Sequence, residues 1–294
     1  MIVVLLGMLF HVPLVIEGAH TGLELWYESV LPSILPFMII TNLLLQQVHG
    51  KGICYLGLFC GLPVGANLVN QQTGAGQIAS ADANALLCIC NITSPMFISG
   101  YILNQSLHNQ ISAIRFFLVI YLPLFLYGLL FILKKRWNRS DRHLQNLSAA
   151  SASGWQDRQK ADVFSSASMS RKAPQSLEQI LLHSLQVILM VGVYIMLFCI
   201  LIQFLLHYIP ADSLFSKLLT STLEITNGIH LLIYLPVDFH QKTALIAGLT
   251  SFGGICSILQ TKSVLTDTGL SIVHYTIIKL CMGGLSYLLA LLLL

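Results

Sequence analysis

Four hydrophobic stretches of this chain are interrupted near their middle by residues that a continuous helix does not accommodate: CGLPVGAN at 60–67, CNITSPMFISG at 90–100, STLEITNGIH at 221–230 and LTSFGGICSILQTKS at 249–263. They lie in a sequence of 294 residues that is 55% hydrophobic and 9% charged, with a mean hydropathy of +0.78. A water-soluble globule carries about 25% charged residues. Fifteen Lys and Arg with twelve Asp and Glu cannot keep such a surface wet, so much of it faces lipid. The fold class that follows is all-α: a polytopic transmembrane helical protein with two pseudo-repeated halves containing discontinuous or re-entrant helices.

The halves follow one plan in hydropathy. Each begins with a long apolar helix (about 31–48 and 177–207), continues through two interrupted segments, and closes on a clean span (about 112–133 and 270–293). Between them, residues 134–175 are polar and rich in Ser and Ala, and carry Lys134, Lys135, Arg136, Arg139, Arg142, Arg158, Lys160, Arg171 and Lys172 against Asp141, Asp157 and Asp162. The basic excess of the chain sits there, which places this linker in the cytoplasm, and its composition predicts mobility. Residues 1–18 read as a hydrophobic span or an interfacial helix, with Pro13 as a kink. The division is thus 1–18, a first membrane half at 19–133, the linker at 134–175 and a second half at 176–294. Residues 19–37, with Glu24, Glu28, Trp26 and Tyr27, suit an amphipathic helix at the interface, the aromatics at headgroup level.

Each interruption has its own chemistry. In the first, Pro63 removes a donor while Gly61 and Gly65 permit unusual dihedrals, and Asn67 follows; the alternative is a proline kink with packing glycines. In the second, Ser94 suits a helix cap with Pro95 at the first helical position, which leaves Asn91, Thr93 and Ser94 as polar groups at depth. In the third, Asn227-Gly228 is expected to end a helix and leave its carbonyls pointing onward, with Glu224 one turn earlier. A carboxylate inside a membrane segment costs at least about 2.5–3.5 kcal/mol, so Glu224 either faces protein or water at depth or sits at the interface. In the fourth, Ser251 is a candidate cap, Gly253-Gly254 permit close approach or a packing notch, and Gln260 lies about two turns on.

Non-helical backbone at bilayer depth is tolerated only where protein or a water-filled cavity satisfies it. The four breaks together imply a shared polar centre able to hold a small polar solute or ion. The candidate substrate-binding residues are Pro63, Gly65, Asn67, Asn91, Thr93, Ser94, Pro95, Glu224, Asn227, Gly228, Ser251, Gly253, Gly254 and Gln260. No catalytic residue, metal ligand or cofactor is expected. The seven cysteines form no C-x-x-C pair, and there is no H-E-x-x-H and no G-x-S-x-G. The expected partners are the lipid bilayer, the solute and further copies of the chain as a homo-oligomer. A net charge of +3 spread over several loops offers no face for nucleic acid.

LPVGAN at 62–67, CNITSPMFISG at 90–100, LEITNG at 223–228 and SFGGICSILQ at 251–260, in this order and with VLPSILPF at 30–37, closely resemble the YlbJ family of sporulation integral membrane proteins. The resemblance covers roughly residues 19–292 apart from the basic loop. It implies a member of the wider nucleoside-recognition or Gate domain group, similar in part to concentrative nucleoside transporters and to the pore region of bacterial ferrous-iron transporters. It further implies a multi-pass protein of the bacterial cell membrane, linked to sporulation, with transport as the expected activity. Ile92, Asn67 and Ile258 stand where the family often has polar or basic residues, which makes this centre less charged. The second functional reading is a non-transporting assembly or scaffold factor for the sporulation envelope that recruits partners through its basic loop.

Overall fold

The computed structural model describes residues 7–45, 53–150, 176–209, 214–265 and 268–294, and every regular element among them is helical. The fold-class expectation of an all-α polytopic protein holds: six of the described helical stretches are long and apolar enough to cross a membrane. In chain order the elements are α1 (Val12–Leu25), a π-helical turn (Trp26–Val30), α2 (Leu31–Leu45), α3 (Ile53–Cys60), α4 (Val64–Gly74), α5 (Ser80–Cys90) and α6 (Pro95–Phe97), which runs into a π-helical segment, Ile98–Ser106. They continue as α7 (Ala113–Ala150), α8 (Leu177–Tyr208), α9 (Leu214–Ser221), α10 (Ile225–Ile233), α11 (Phe239–Phe252), α12 (Gly254–Val264) and α13 (Ile272–Leu293). The order of long helix, hairpin of two short helices, broken helix and long helix occurs twice.

Helix starts are written in side chains. Ser176 and Gln179 form a reciprocal capping box at α8, Asp238 accepts from the Gln241 N–H at α11, and Ser271 accepts from the His274 N–H at α13. The two broken spans are the inner ones. In Ser80–Ser106 and Phe239–Val264, 67% and 72% of the most apolar stretch is buried, against 22–44% in the other four, which leaves the unbroken helices to meet lipid.

Residues 19–37 correct one expectation. They do not form a separate interfacial helix: α1, the π turn and α2 run on as one stretch, and α1 packs antiparallel on α8. Gly18 and Gly22, four residues apart, let the backbones touch, since a Cβ at either would lie 2.6 Å from Cα of Ile200 or Met196. Trp26 lies over Gly192, its indole N–H donating to the Ile188 carbonyl at 3.0 Å. The π turn comes just before Pro32 and Pro36, whose rings cannot donate into a regular ladder.

The linker reading is corrected in part. α7 continues to Ala150, and Lys135 pairs with Asp82 near the start of α5. Residues 151–175 and 1–6 lie outside the described residues. The same end of the molecule gathers Asn70, Asn84, Thr268 and Ser271: the Thr268 hydroxyl donates to Asn70 Oδ1 at 2.5 Å, and the Ser271 N–H donates to Asn84 Oδ1 at 2.8 Å. At the opposite end, His240 meets the Leu291 carbonyl at 3.0 Å and Tyr208 meets His11 at 2.8 Å.

Candidate functional site

All four interruptions open the helices, and their backbones are stitched to one another. Between α3 and α4 the chain turns through Gly61 (φ +78°), where a side chain would press on Cβ of Ser94. α5 ends at Cys90 and the helix restarts at Pro95, with the Ser94 hydroxyl accepting from the Phe97 N–H at 3.2 Å. Between α9 and α10 the new helix begins at Ile225, and between α11 and α12 Gly253 (φ +88°) and Gly254 (φ +80°) take the left-handed region that glycine alone adopts cheaply. The first two amides of α12 after Gly254 donate out of their own helix: Ile255 N–H to the Thr222 carbonyl at 2.9 Å and Cys256 N–H to Leu223 at 2.8 Å. The third and fourth breaks are therefore one hydrogen-bonded unit.

Asn91 ties the first two breaks to each other and to the second half. Fully buried, it accepts from the Ala66 N–H at 3.1 Å and donates to the Thr261 hydroxyl at 2.8 Å and to the Tyr275 hydroxyl at 2.9 Å. Across the halves, Thr93 Oγ1 donates to the Thr250 carbonyl at 2.7 Å and the Tyr101 hydroxyl to the Thr226 carbonyl at 2.8 Å. The main-chain groups freed by the breaks thus find protein partners, as hydrocarbon demands.

Where these breaks meet lies a cavity of about 50 Å³, several times the 10–15 Å³ that one water needs. Leu62 reaches it from the first break, Thr93, Ser94 and Phe97 from the second, Glu224, Ile225 and Thr226 from the third, and Gly253, Cys256, Ser257 and Gln260 from the fourth. Val30, Ile34, Val191 and Ile195 complete an otherwise apolar wall. The helix starts at Ser94, Glu224 and Gly253 all border this space, so the positive ends of α6, α10 and α12 face it. Glu224 is 1% exposed; its two carboxylate oxygens accept from the Thr226 and Asn227 N–H groups at 3.0 and 2.7 Å. Two accepted hydrogen bonds at a helix start offset part of the cost of burying that group.

This geometry corrects the direction of the third break. Asn227 and Gly228 do not end a helix; both lie inside α10, which Glu224 starts by capturing the first amides. Asn227 donates to Cys199 Sγ at 3.6 Å, and Gly228 packs against the Ser221 carbonyl, where no side chain fits. Ser251 is likewise not a cap: it lies in the last turn of α11 and shares a 2.6 Å hydrogen bond with Ser286. Of the other candidates, Thr93, Ser94, Glu224, Gly253 and Gln260 line the cavity. Pro63, Gly65, Asn91, Pro95 and Gly254 shape or brace the breaks around it, Gly65 lying against the Cys90 carbonyl, whereas Asn67 makes an exposed bond within its own helix, accepting from Gln71 at 3.2 Å.

Sequence reasoning missed two contributions. Val191 and Ile195 come from the middle of the apolar α8, where nothing distinguishes one leucine-like position from another. Lys279 was passed over inside the span at about 270–293, although IVHYTIIKLCMGG carries one cation in an otherwise apolar run; it is 1% exposed.

No family model matches the chain, and no solved structure matches it. Among curated proteins, the sporulation integral membrane protein YlbJ of Bacillus subtilis (strain 168) is 26% identical over 307 aligned positions, covering 91% of this chain and 74% of the relative. This chain is thus similar, over 91% of its length, to an integral membrane protein named for sporulation, and six of its described helical stretches are long and apolar enough to cross a membrane.

Proposed function

We propose that the protein is a carrier in the bacterial cell membrane that binds a small polar solute or ion in the cavity at Glu224, and that, like the relative named for sporulation, it serves spore formation. The observation that carries this reading is the meeting of residues from all four breaks around one buried carboxylate. A solute held there would offer a cation or hydrogen-bond donors to Glu224, and an electron-rich edge to the helix starts at Ser94 and Gly253. Discontinuous helices that meet at such a site also allow two arrangements of the same contacts, which alternating access requires. The basic segment beginning at Lys134 then faces the cytoplasm.

The test is uptake into vesicles reconstituted with the purified chain, over a panel of nucleosides, small organic acids and metal ions. The expected result is saturable uptake of at least one class, lowered about tenfold or more by Glu224→Gln, a loss equivalent to one hydrogen-bonded contact of about 1.4 kcal/mol. No saturable uptake across the panel, with Glu224→Gln cells forming spores like the wild type, overturns it.

A further inference from the structure

Lys279 is a formally charged side chain of α13 set in the apolar interior, 1% exposed, and it lines a second, much smaller cavity of about 10 Å³, room for about one water. None of the described hydrogen bonds or ion pairs uses its ammonium, and no carboxylate shares the cavity: the walls are Ile92, Thr93, Ile120, Leu124, Thr250, Ser251 and Met282. An unpaired ammonium in such a place needs a source of negative potential.

The two broken spans supply one. Ile92 and Thr93 follow directly on the carboxyl end of α5 at Cys90, and Thr250 with Ser251 form the last turn of α11. Both half-helices therefore end at the Lys279 cavity, with the partial negative charge of their last carbonyls, whereas α6, α10 and α12 begin at the Glu224 cavity. The wall between the two is Thr93, which lines both. The other groups turned toward Lys279 are uncharged: the Cys88 thiol of α5, the Ser251–Ser286 hydroxyl pair and the apolar side chains of α7.

Carboxyl ends of discontinuous helices are where coupling cations are held in membrane carriers. We propose that Lys279 is a tethered monovalent cation, an ammonium built into the chain where a carrier of this construction would otherwise bind a free metal ion between the ends of α5 and α11. Its chemistry fits: a compact point charge on a flexible stem, stabilised by the field of two helix carboxyl ends rather than by a direct bond to either. The inference does not rest on the Glu224 cavity carrying a solute.

The experiment is thermal unfolding of the purified full chain in nanodiscs, at fixed ionic strength, in sodium, methylammonium, ethylammonium or choline chloride. Wild type is expected to melt at the same temperature in sodium and in choline. Lys279→Ala is expected to melt about 10 °C lower in choline and to regain most of that in sodium or the small alkylammonium salts, saturably. Lys279→Met, which fills the space without the charge, is expected to melt low in every salt. Lys279→Met as stable as wild type, or Lys279→Ala indifferent to all four cations, overturns the proposal. Should the variants fail to fold, the charge is read in a chain whose other lysines are arginines: the nitrogen-15 signal of Lys279 is expected in its ammonium form at neutral pH, and a neutral amine signal overturns it.

Discussion

The Thr93 hydroxyl donates to the Thr250 main-chain carbonyl at 2.7 Å, which ties the link between α5 and α6 to the last turn of α11 across the two halves of the molecule. Both residues are buried, Thr93 5% and Thr250 0% exposed, so neither partner can turn to water if the other is lost. Thr93→Val keeps the shape and removes the donor. The expected outcome is a loss of about 1–3 kcal/mol, seen as a drop of several degrees in the melting temperature of the purified protein. A variant that melts like wild type would mean that this junction does not hold the halves together.

Asn91 joins α4, α12 and α13 through one amide, and each of its three bonds is to a buried partner. Asn91→Leu leaves the Ala66 N–H and two hydroxyls without it in an apolar interior. Expected is a loss larger than that of Thr93→Val, about 3 kcal/mol or more, with reduced yield of folded protein in detergent as the measurement. An equal yield and melting temperature would contradict the bracing role.

Two glycines give opposite forecasts for the same substitution. At Gly65 a Cβ would overlap the Cys90 carbonyl oxygen, so Gly65→Ala must push α4 away from α5 and should abolish folded protein. At Gly128, inside α7, the nearest atom to a new Cβ is Ile89 Cδ1 at 3.8 Å, an ordinary contact, so Gly128→Ala should be neutral or add up to about 1 kcal/mol of helix stability. Side-by-side size-exclusion profiles and melting curves check both.

Residues 151–172 separate the carrier reading from the scaffold one. Deleting them leaves every contact of the Glu224 cavity in place, so a carrier should keep its uptake and its cellular phenotype. Loss of spore formation with normal membrane insertion and normal uptake would instead favour recruitment of partners by this segment.

Much of the frame was legible in the sequence because its signals are local and strong. Pro63, Ser94-Pro95 and Gly253-Gly254 act on their own backbone wherever they are, so three of the breaks could be placed to within a residue or two. The third was placed but read backwards. Asn-Gly carries a left-handed bias, yet Glu224, three residues ahead of Asn227, captures the Thr226 and Asn227 amides with both carboxyl oxygens, and that contest is settled only when the group is buried. Trp26 shows the same limit: its own neighbours do not say that Gly192 of α8 presents a slot for its ring. Which cavity a side chain meets is a matter of helix rotation, and neither Val191 nor Lys279 carries that in its neighbours.

The amides of Ile255 and Cys256 that reach across to Thr222 and Leu223 set the grain along which this molecule can move. Shifting α10 by itself would strand two donors in a dry interior, at about 1–3 kcal/mol apiece, whereas carrying α12 along leaves that seam whole. The outer hairpin and the second half of the neighbouring span are therefore joined as a single plate, moored to the first half of the molecule by the bond from Tyr101 to the Thr226 carbonyl.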